Sequence, residues 1–466
     1  MEKPYESRRK NVSQIDLDKY SKYSKPGPRY TSYPTALEFN DDFKYDNYLN
    51  YLEQGSEALS LYVHLPFCRS ACYFCGCNVV FTSKEEKLSR YIEYLKKEID
   101  ILAKHLDTTR EVIQFHFGGG TPTFYKAFEL DEIINYIKSK FPNWSEDAEI
   151  SCEIDPRFFV EEQMQVFRKH GFNRISFGVQ DFDPKVQQVI HRIQPYELTK
   201  AAVDLARRYG INSINTDLIY GLPFQTFESF RNTLELAYSL DPDRLAIFNY
   251  AHVPWLKKTM RKFDETTLPS PDVKLQILQY TIDFFEGHGY KMVGMDHFAK
   301  PKDELFAAID KGELHRNFQG YTTKGGANLI GIGLTSIGEG PGYYAQNTKN
   351  MAKYEEAIDA GKLPFEKGVE LSEDDKIRKA VIMELMANFA VDIPRVEKEF
   401  SIDFKGYFAD ALEALQEFVE GDLVTITDKK ITVSPTGTLL IRNIAMPFDA
   451  YMGKYGGNKK SFSKTV

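Results

Sequence analysis

Cysteine and tryptophan are scarce in this chain, and long apolar runs are missing. Its 466 residues include only 5 Cys and 2 Trp. No apolar stretch approaches the roughly 20 residues that a membrane-spanning helix needs. The charged first residues, MEKPYESRRK, lack the apolar core of a signal peptide. We therefore expect a cytoplasmic protein that does not enter a membrane.

An excess of basic charge is missing as well. Lys and Arg together number 59, against 67 Asp and Glu, which gives a net charge of −8. A nucleic-acid interface needs a basic face, so nucleic acid is not an expected partner. A polyanionic small molecule remains compatible with the composition, because a local basic pocket can form in an acidic protein.

Short apolar strands alternate with amphipathic helices from about residue 58 onward. This alternation favours parallel strands joined by right-handed crossovers. The fold class is therefore α/β, either a barrel or an open doubly wound sheet. The predicted strands cover residues 59–64, 112–117, 149–154, 174–179, 213–220, 245–250 and 291–295.

The pattern changes towards both ends of the chain. Residues 1–55 are interpreted as a polar arm with a turn-rich section, since helix is hard to sustain across its prolines. Residues 56–367 hold the strand–helix alternation. Residues 368–466 begin with helices over 372–420, followed by a hairpin over 424–433 and a helix over 439–445. This order is similar to that of a winged helix, but no arginine-rich recognition helix is present, so we expect a lid or packing domain.

Four cysteines lie within ten residues, directly after the first predicted strand. Cys68, Cys72, Cys75 and Cys77 have the spacing C-x3-C-x2-C-x-C. Clustered cysteines in a reducing compartment favour metal over disulfide, and loops after strands form the active face of a βα barrel. Zinc sites usually use two separated cysteine pairs, and Cys77 is too close to Cys75 for easy tetrahedral closure. Ligand softness and spacing favour an iron–sulfur cluster held by three thiolates, with a zinc-stabilised binding module and an unmetallated loop as the alternatives.

The spacing C-x3-C-x2-C resembles the signature of radical S-adenosylmethionine (SAM) enzymes. The resemblance implies that Cys68, Cys72 and Cys75 hold a [4Fe–4S] cluster whose fourth iron binds SAM, and that Cys77 is not a ligand. Two strings, CYFCGCN at 72–78 and PRYTSYPT at 28–35, narrow the resemblance to the oxygen-independent coproporphyrinogen III oxidase family. It covers nearly the whole chain. The implied fold is a partial (β/α)6 TIM-like barrel of the radical SAM type, with an N-terminal arm and a smaller, mostly helical C-terminal domain.

The same resemblance implies an enzyme of haem biosynthesis, a radical SAM oxidoreductase. Its reaction would be the oxidative decarboxylation of coproporphyrinogen III to protoporphyrinogen IX without oxygen. A 5′-deoxyadenosyl radical would take hydrogen from propionate side chains, with no catalytic residue beyond the cluster and SAM. We expect an electron donor such as flavodoxin or ferredoxin, and a monomer. The alternative is a haem-chaperone-like protein that binds haem without decarboxylating; such relatives lack the fourth cysteine and the 28–34 string, and both are present here.

The resemblance also implies two SAM molecules. The glycines at 118–120 follow the second predicted strand, where missing Cβ atoms let the backbone approach a ligand. Asp217 is a carboxylate within an otherwise apolar strand, which is costly unless it is paired or faces a ligand. The first SAM would contact Tyr62, Gly119, Glu153 and Ile337. The second would contact Phe74, Gly120, Thr121, Gln180, Arg192, Asp217 and Ala251.

The remaining polar candidates are less specific. The substrate of this family carries four carboxylates, and buried carboxylates need cationic partners, for which Arg29 and Arg157 are our candidates. His64 and His116 are interpreted as structural histidines at strand ends. Cys152 neighbours Glu153 but faces the opposite side of its strand, so we expect it in the core.

Overall fold

The computed structural model describes residues 22–23 and 25–455. Residues 1–21, 24 and 456–466, which belong to the predicted arm and the predicted C-terminal domain, lie outside this described part. Within it, no helix has the length and apolarity to cross a membrane.

One sheet of 12 strands organises the chain. Six strands that succeed one another in sequence are parallel neighbours in this sheet. This is the partial (β/α)6 arrangement expected from the sequence, and all six strands were predicted to within a few residues. They are β1 Leu59–Leu65, β2 Val112–Gly119, β3 Trp144–Ile154, β4 Arg174–Gln180, β5 Ser213–Tyr220 and β6 Arg244–Asn249.

The parallel strands separate apolar from polar residues by their two-residue period. In β5 buried positions alternate strictly with half-buried ones. Ile214 and Leu218 join the apolar layers of the core. Asn215 and Asp217 face the other way, towards the barrel interior. The sequence therefore places its strand carboxylates inside the barrel rather than under the helices.

Helices cover the outer face of these strands. In the helix after β1, Leu88, Leu95, Ile99 and Leu102 are buried and form one apolar stripe. The helices of this part are α1 Tyr45–Gln54, α2 Glu85–Leu102, α3 Ala127–Lys140, α4 Glu161–Lys169, α5 Pro184–Val189, α6 Tyr196–Arg208, α7 Phe227–Ser239, α8 Pro271–Gly287, α9 Glu304–Lys311 and α10 Met351–Asp359. Short 3-10 turns occur at Pro122–Phe124, Pro156–Phe158, Lys258–Lys262, Glu265–Thr267, Gly437–Leu440, Met446–Phe448 and Met452–Tyr455.

The sheet continues beyond both outer parallel strands, and these additional strands were predicted less well from the sequence. The strand predicted over 291–295 ends at Val293 and is antiparallel, so it does not continue the parallel series. The strands after it were not predicted, because they are short and several are interrupted by glycine. The added strands are β7 Lys291–Val293 and β8 His297–Ala299 beside β6, and β9 Asn328–Ile332, β10 Ile337–Gly340, β11 Tyr343–Asn347 and β12 Phe365–Glu370 beside β1.

Two small strand pairs lie outside the large sheet. Phe67–Cys68 pairs with Val80–Phe81 and brackets the cysteine loop. His315–Asn317 pairs with Gly320–Thr322, and we call this pair the 315–322 hairpin.

The C-terminal part is mostly helical, as predicted. The hairpin expected over 424–433 is present as Val424–Ile426 and Lys430–Val433, joined by an unpredicted third strand, Ala390–Asp392. Tyr23, Tyr30 and Tyr33 of the predicted arm are buried in the core of this part. The boundaries at 55 and 367 remain proposals. The helices are α11 Glu373–Asn388, α12 Ile393–Phe400, α13 Phe404–Tyr407, α14 Ala409–Ala414, α15 Gln416–Glu420 and α16 Ile441–Ala445.

Candidate functional site

A cleft of about 290 Å³ opens beside the cysteine loop, at the carboxyl ends of the parallel strands. A second cavity of about 230 Å³ shares Glu153, Ser176, Asp217 and Phe248 with the cleft and extends into the barrel. Most of the residues predicted to hold the cluster or to contact SAM line the cleft. They are Cys68, Cys72, Phe74, Cys75, Gly119, Gly120, Thr121, Glu153, Gln180, Arg192 and Asp217.

The cysteine loop presents its thiols to this cleft. Cys68 Sγ lies 3.4 Å from Thr121 Oγ1. Cys75 Sγ accepts a hydrogen bond from the Cys77 amide at 3.4 Å. Cys77 itself is exposed, whereas Cys152 is fully buried in the core, as predicted.

Two arginines approach the same loop. Arg157 Nη2 lies 3.8 Å and Arg192 Nη1 lies 3.7 Å from Cys72 Sγ. Both pair with Asp155 Oδ2, at 2.6 and 3.0 Å. Burial opposes ionisation of Asp155, but the charge of Arg192 and the bonds from Arg157 hold its pKa below the usual range. This network fixes positive charge beside the Cys72 thiol, which would act as a thiolate ligand.

These residues fit an iron–sulfur cluster. Burial raises the pKa of the Cys68 thiol to about 12, so a thiolate there needs a strong cation such as iron next to it. A cluster spreads its thiolates over several irons. Throughout residues 22–23 and 25–455, no three His, Cys, Asp or Glu side chains converge as ligands of one metal ion would.

The glycines after β2 bring the backbone close to the cysteine loop. Gly119 has a φ of 112° and donates its N–H to Glu153 Oε2 at 3.3 Å. A Cβ on Gly120 would lie 2.7 Å from the carbonyl oxygen of Phe67. The missing side chain is thus required for the packing of the loop, besides any contact with a ligand.

Glu153 is held by neighbours on the barrel interior. Its Oε1 lies 3.7 Å from His116 Nε2. The side chain is 51% exposed at the mouth of the cleft; desolvation by the surrounding walls opposes ionisation, but His116 and the Gly119 amide bring the pKa of Glu153 below its ordinary value. Two strands away, Asp217 accepts hydrogen bonds from Ser176 at 2.9 Å and Asn215 at 2.7 Å. Burial and the charge of Glu153 raise the pKa of Asp217 to about 6.

Both histidines have the satisfied environment of structural residues. His64 Nδ1 bonds the Tyr62 hydroxyl at 3.0 Å, and its Nε2 bonds the carbonyl of Asn78 at 3.2 Å. Burial lowers the pKa of His64 to about 4, which keeps the ring neutral. His116 Nδ1 bonds Ser151 Oγ at 2.7 Å.

Three predicted SAM contacts are not among the residues that line the cleft. Tyr62 lies on β1 and reaches His64 through its hydroxyl, Ala251 follows β6, and Ile337 opens β10. Their roles stay predictions. Asp155, in contrast, received no role from the sequence, although its position between Glu153 and Arg157 at a strand end was an available signal.

Comparison with known proteins agrees with this geometry. Residues 62–237 match the radical SAM superfamily, and residues 371–440 match the HemN C-terminal domain. The oxygen-independent coproporphyrinogen III oxidase of Helicobacter pylori is 57% identical over 457 residues, which span 97% of this chain and 99% of that protein. The chain belongs to this oxidase family.

Other members extend the likeness to a solved structure. The Escherichia coli member is 44% identical over 459 residues, 98% of this chain and all of its own length. A structure of coproporphyrinogen III oxidase from Escherichia coli, described as a radical SAM enzyme, has a TM-score of 0.90 and covers 94% of this chain and 99% of that one. The predicted family and fold class are confirmed, and the family implies a [4Fe–4S] cluster and SAM.

Proposed function

We propose that this chain is a radical SAM oxidoreductase of haem biosynthesis, which converts coproporphyrinogen III to protoporphyrinogen IX by oxygen-independent oxidative decarboxylation. The observation that carries the proposal is 57% identity across 97% of the chain to a relative with this name. The cysteine cleft supports it, because the three proposed cluster ligands and eight of the eleven proposed SAM contacts line one cavity.

Cys68, Cys72 and Cys75 hold the cluster in this proposal. When bound, the cluster and SAM supply the 5′-deoxyadenosyl radical that starts the reaction. The chain's own residues bind and orient the reactants, and no acid–base residue is required for the removal of a hydrogen atom from the propionate β-carbon. Arg157 and Arg192 offset the negative charge of the thiolates.

Two SAM molecules are part of the proposal. Glu153 and Asp217 stand on β3 and β5, and both face the same cleft. Carboxylates at two separate places suit two ligands that carry amino and ribose hydroxyl donors. We assign Tyr62, Gly119, Glu153 and Ile337 to the first SAM. We assign Phe74, Gly120, Thr121, Gln180, Arg192, Asp217 and Ala251 to the second.

The carboxylates of coproporphyrinogen III require cations. Arg157 is bound to Asp155 through Nε and Nη2. We therefore propose that Arg29 and Arg316, rather than Arg29 and Arg157, bind the substrate carboxylates. Arg29 lies 5.7 Å from the ring centroid of Phe248, which lines the cleft. Arg316 belongs to the 315–322 hairpin, and its Nε and Nη1 are buried without a hydrogen-bond partner in the described part of the chain.

Arg29 and Arg316 both lie near the carboxylate of Asp296. Burial opposes ionisation of Asp296, but His297, Arg316 and Arg29 together lower its pKa to about 2. The buried Arg442 adds a further positive charge to this group, and it holds the arm through the carbonyl of Pro28 at 2.8 Å. The guanidinium groups of Arg29 and Arg316 thus both act on the Asp296 carboxylate, and propionates of the substrate would supply further negative charge to them.

The cellular setting follows from the same chemistry. We propose a monomer in the cytoplasm, where thiols stay reduced, and all five cysteines are free in the structure. We also propose a flavodoxin or ferredoxin as the electron donor. The haem-chaperone alternative lacks a supporting observation, since the relatives reported above are oxidases by name.

Anaerobic turnover tests the proposal. Reconstituted protein is incubated with SAM, dithionite and coproporphyrinogen III, and protoporphyrinogen and 5′-deoxyadenosine are measured. We expect both products, and neither from Cys68→Ala. Cleavage of SAM without any porphyrinogen product would favour the chaperone alternative, and a colourless, iron-free protein would refute the cluster.

A further inference from the structure

A basic surface lies on the segment that follows β6. Residues 255–262, WLKKTMRK, carry four basic and no acidic side chains, in a chain with a net charge of −8. Lys258, Arg261 and Lys262 are exposed. Two large apolar side chains accompany them, Trp255 at 41% exposure and Leu256 at 67%. We call residues 255–262 the basic segment.

The inner side of the basic segment covers the cysteine loop. Met260 is buried in an apolar cluster against which Tyr73 and Phe74 of the loop pack. Phe263, next to the segment, belongs to the same cluster, and its ring centroid lies 6.3 Å from that of Tyr73. The basic segment therefore contacts the cysteine loop on its inner side and is open to solvent on its outer side.

Hydrogen bonds connect the basic segment to a predicted cluster ligand. Lys257 Nζ donates to the carbonyl oxygen of Cys77 at 3.0 Å. The Cys77 amide donates to Cys75 Sγ at 3.4 Å. Only one residue and two hydrogen bonds thus separate Lys257 from a thiol that would bind iron. No other assigned role accounts for a cationic, partly apolar surface at this place.

We propose that the basic segment is the docking surface for the electron donor, a small acidic one-electron carrier protein. This inference rests on the proposed function. The reduced carrier would donate one electron to the bound cluster and would itself be oxidised by one electron, with no atom transferred. Opposite charges steer such partners together, and electron-transfer interfaces are small, so one short segment with two apolar side chains is adequate.

Acidic residues next to the basic segment have local partners. Asp264 accepts a hydrogen bond from the amide of Thr266 at 3.0 Å, and Glu265 lies 3.2 Å from His252 Nε2. The cation of Lys185 lies 4.0 Å from the ring centroid of Phe224, which is itself 37% exposed. The Phe224 amide donates a hydrogen bond to the carbonyl of Thr267, five residues after the basic segment.

A charge-reversal pair tests the docking surface. Lys258→Glu with Lys262→Glu changes two exposed side chains of the basic segment. Lys429→Glu with Lys430→Glu, in the exposed C-terminal hairpin, is the matched control because it changes the net charge equally. Binding of a purified acidic flavodoxin is measured by calorimetry at low and high salt. SAM cleavage is measured with reduced flavodoxin and, separately, with dithionite, which needs no docking surface.

We expect the segment variant to weaken flavodoxin affinity and raise its KM on the order of tenfold or more, with a flatter salt dependence. Rates with dithionite should be unchanged, and the control variant should behave as the wild type. Equal losses in both variants, or no loss in the segment variant, would overturn the proposal. Binding to phosphatidylglycerol vesicles is measured as well. If the segment variant lost vesicle binding while its flavodoxin binding stayed intact, the surface would be a membrane-binding site and the proposal would be overturned. Failure of the wild type with dithionite would refute the proposed function, while calorimetry would still decide the docking surface.

Discussion

The Gly119 amide donates a hydrogen bond to Oε2 of Glu153 across 3.3 Å. Gly119 adopts a φ of 112°, a conformation that other residues rarely reach. The bond ties the end of β2 to β3 and helps to keep the Glu153 carboxylate ionised. Backbone geometry therefore orients one of the groups that we assign to the first SAM.

The next glycine gives a sharp test of loop packing. Gly120→Ala would place a Cβ 2.7 Å from backbone atoms of Pro66 and Phe67, which cannot move without shifting the cysteine loop. We expect SAM cleavage to fall about 100-fold, as for other small displacements of reacting groups. Gly76→Ala lies in the same loop but meets no atom within 4 Å. It should retain near wild-type cleavage, and equal loss in both variants would contradict this account.

The thiol ligands are tested by metal content rather than by turnover alone. Cys68→Ala, Cys72→Ala and Cys75→Ala should each fail to retain the four irons of the reconstituted cluster. Cys77→Ala should retain them, because Cys77 is not a proposed ligand and the substitution keeps the backbone amide that donates to Cys75 Sγ. Iron and sulfide assays with electron paramagnetic resonance provide the measurement. Cys152→Ala is the buried control, and iron loss there would point to misfolding.

Short, local patterns in the sequence were reliable guides to this fold. The β5 strand could be predicted because it is a short, largely apolar run between helical segments, and the cysteine loop because ligand spacing is local. The β9 and β10 strands were missed, since Gly331 and Gly338 interrupt the apolar alternation. The role of Asp155 depends on Arg192, 37 positions away, and no local pattern reveals such a pair. Likewise, only the fold brings Lys257 to Cys77.

The buried ion pair of Arg192 and Asp155 should be important for stability. Their side chains are 9% and 6% exposed, so Arg192→Ala leaves a buried carboxylate with only Arg157 as a cation. We expect a loss of about 3 kcal/mol in the free energy of unfolding, together with weaker SAM binding. Urea denaturation and calorimetry measure the two effects. Arg231→Ala breaks an exposed pair with Glu235 and should cost no more than about 0.5 kcal/mol; a similar cost for both would disprove the prediction.

A substitution of Arg316 should affect substrate binding without affecting SAM binding. Arg316→Met keeps the apolar stem of the side chain and removes the two unpartnered nitrogens. We expect KM for coproporphyrinogen III to rise about tenfold, because one charged hydrogen bond to the substrate is lost. SAM affinity should be unchanged. Steady-state kinetics and SAM calorimetry provide the measurement, and Arg231→Met on the exposed face of α7 is the control. A matching fall in SAM affinity would place Arg316 in the cofactor site instead.

Glu98 makes stability depend on pH. It is buried and accepts hydrogen bonds from Tyr354, Asn347 and the Gly333 amide, yet burial outweighs them and raises its pKa from 4.5 to about 7. A carboxyl with a raised pKa in the folded state contributes stability below pH 4.5 that is lost as pH rises towards 7. Between pH 6 and 8 this loss should be about 1 kcal/mol. Urea denaturation should therefore show that, between pH 6 and 8, the wild type loses about 1 kcal/mol of unfolding free energy relative to Glu98→Gln. A pH-independent difference for Glu98→Gln would rule the effect out.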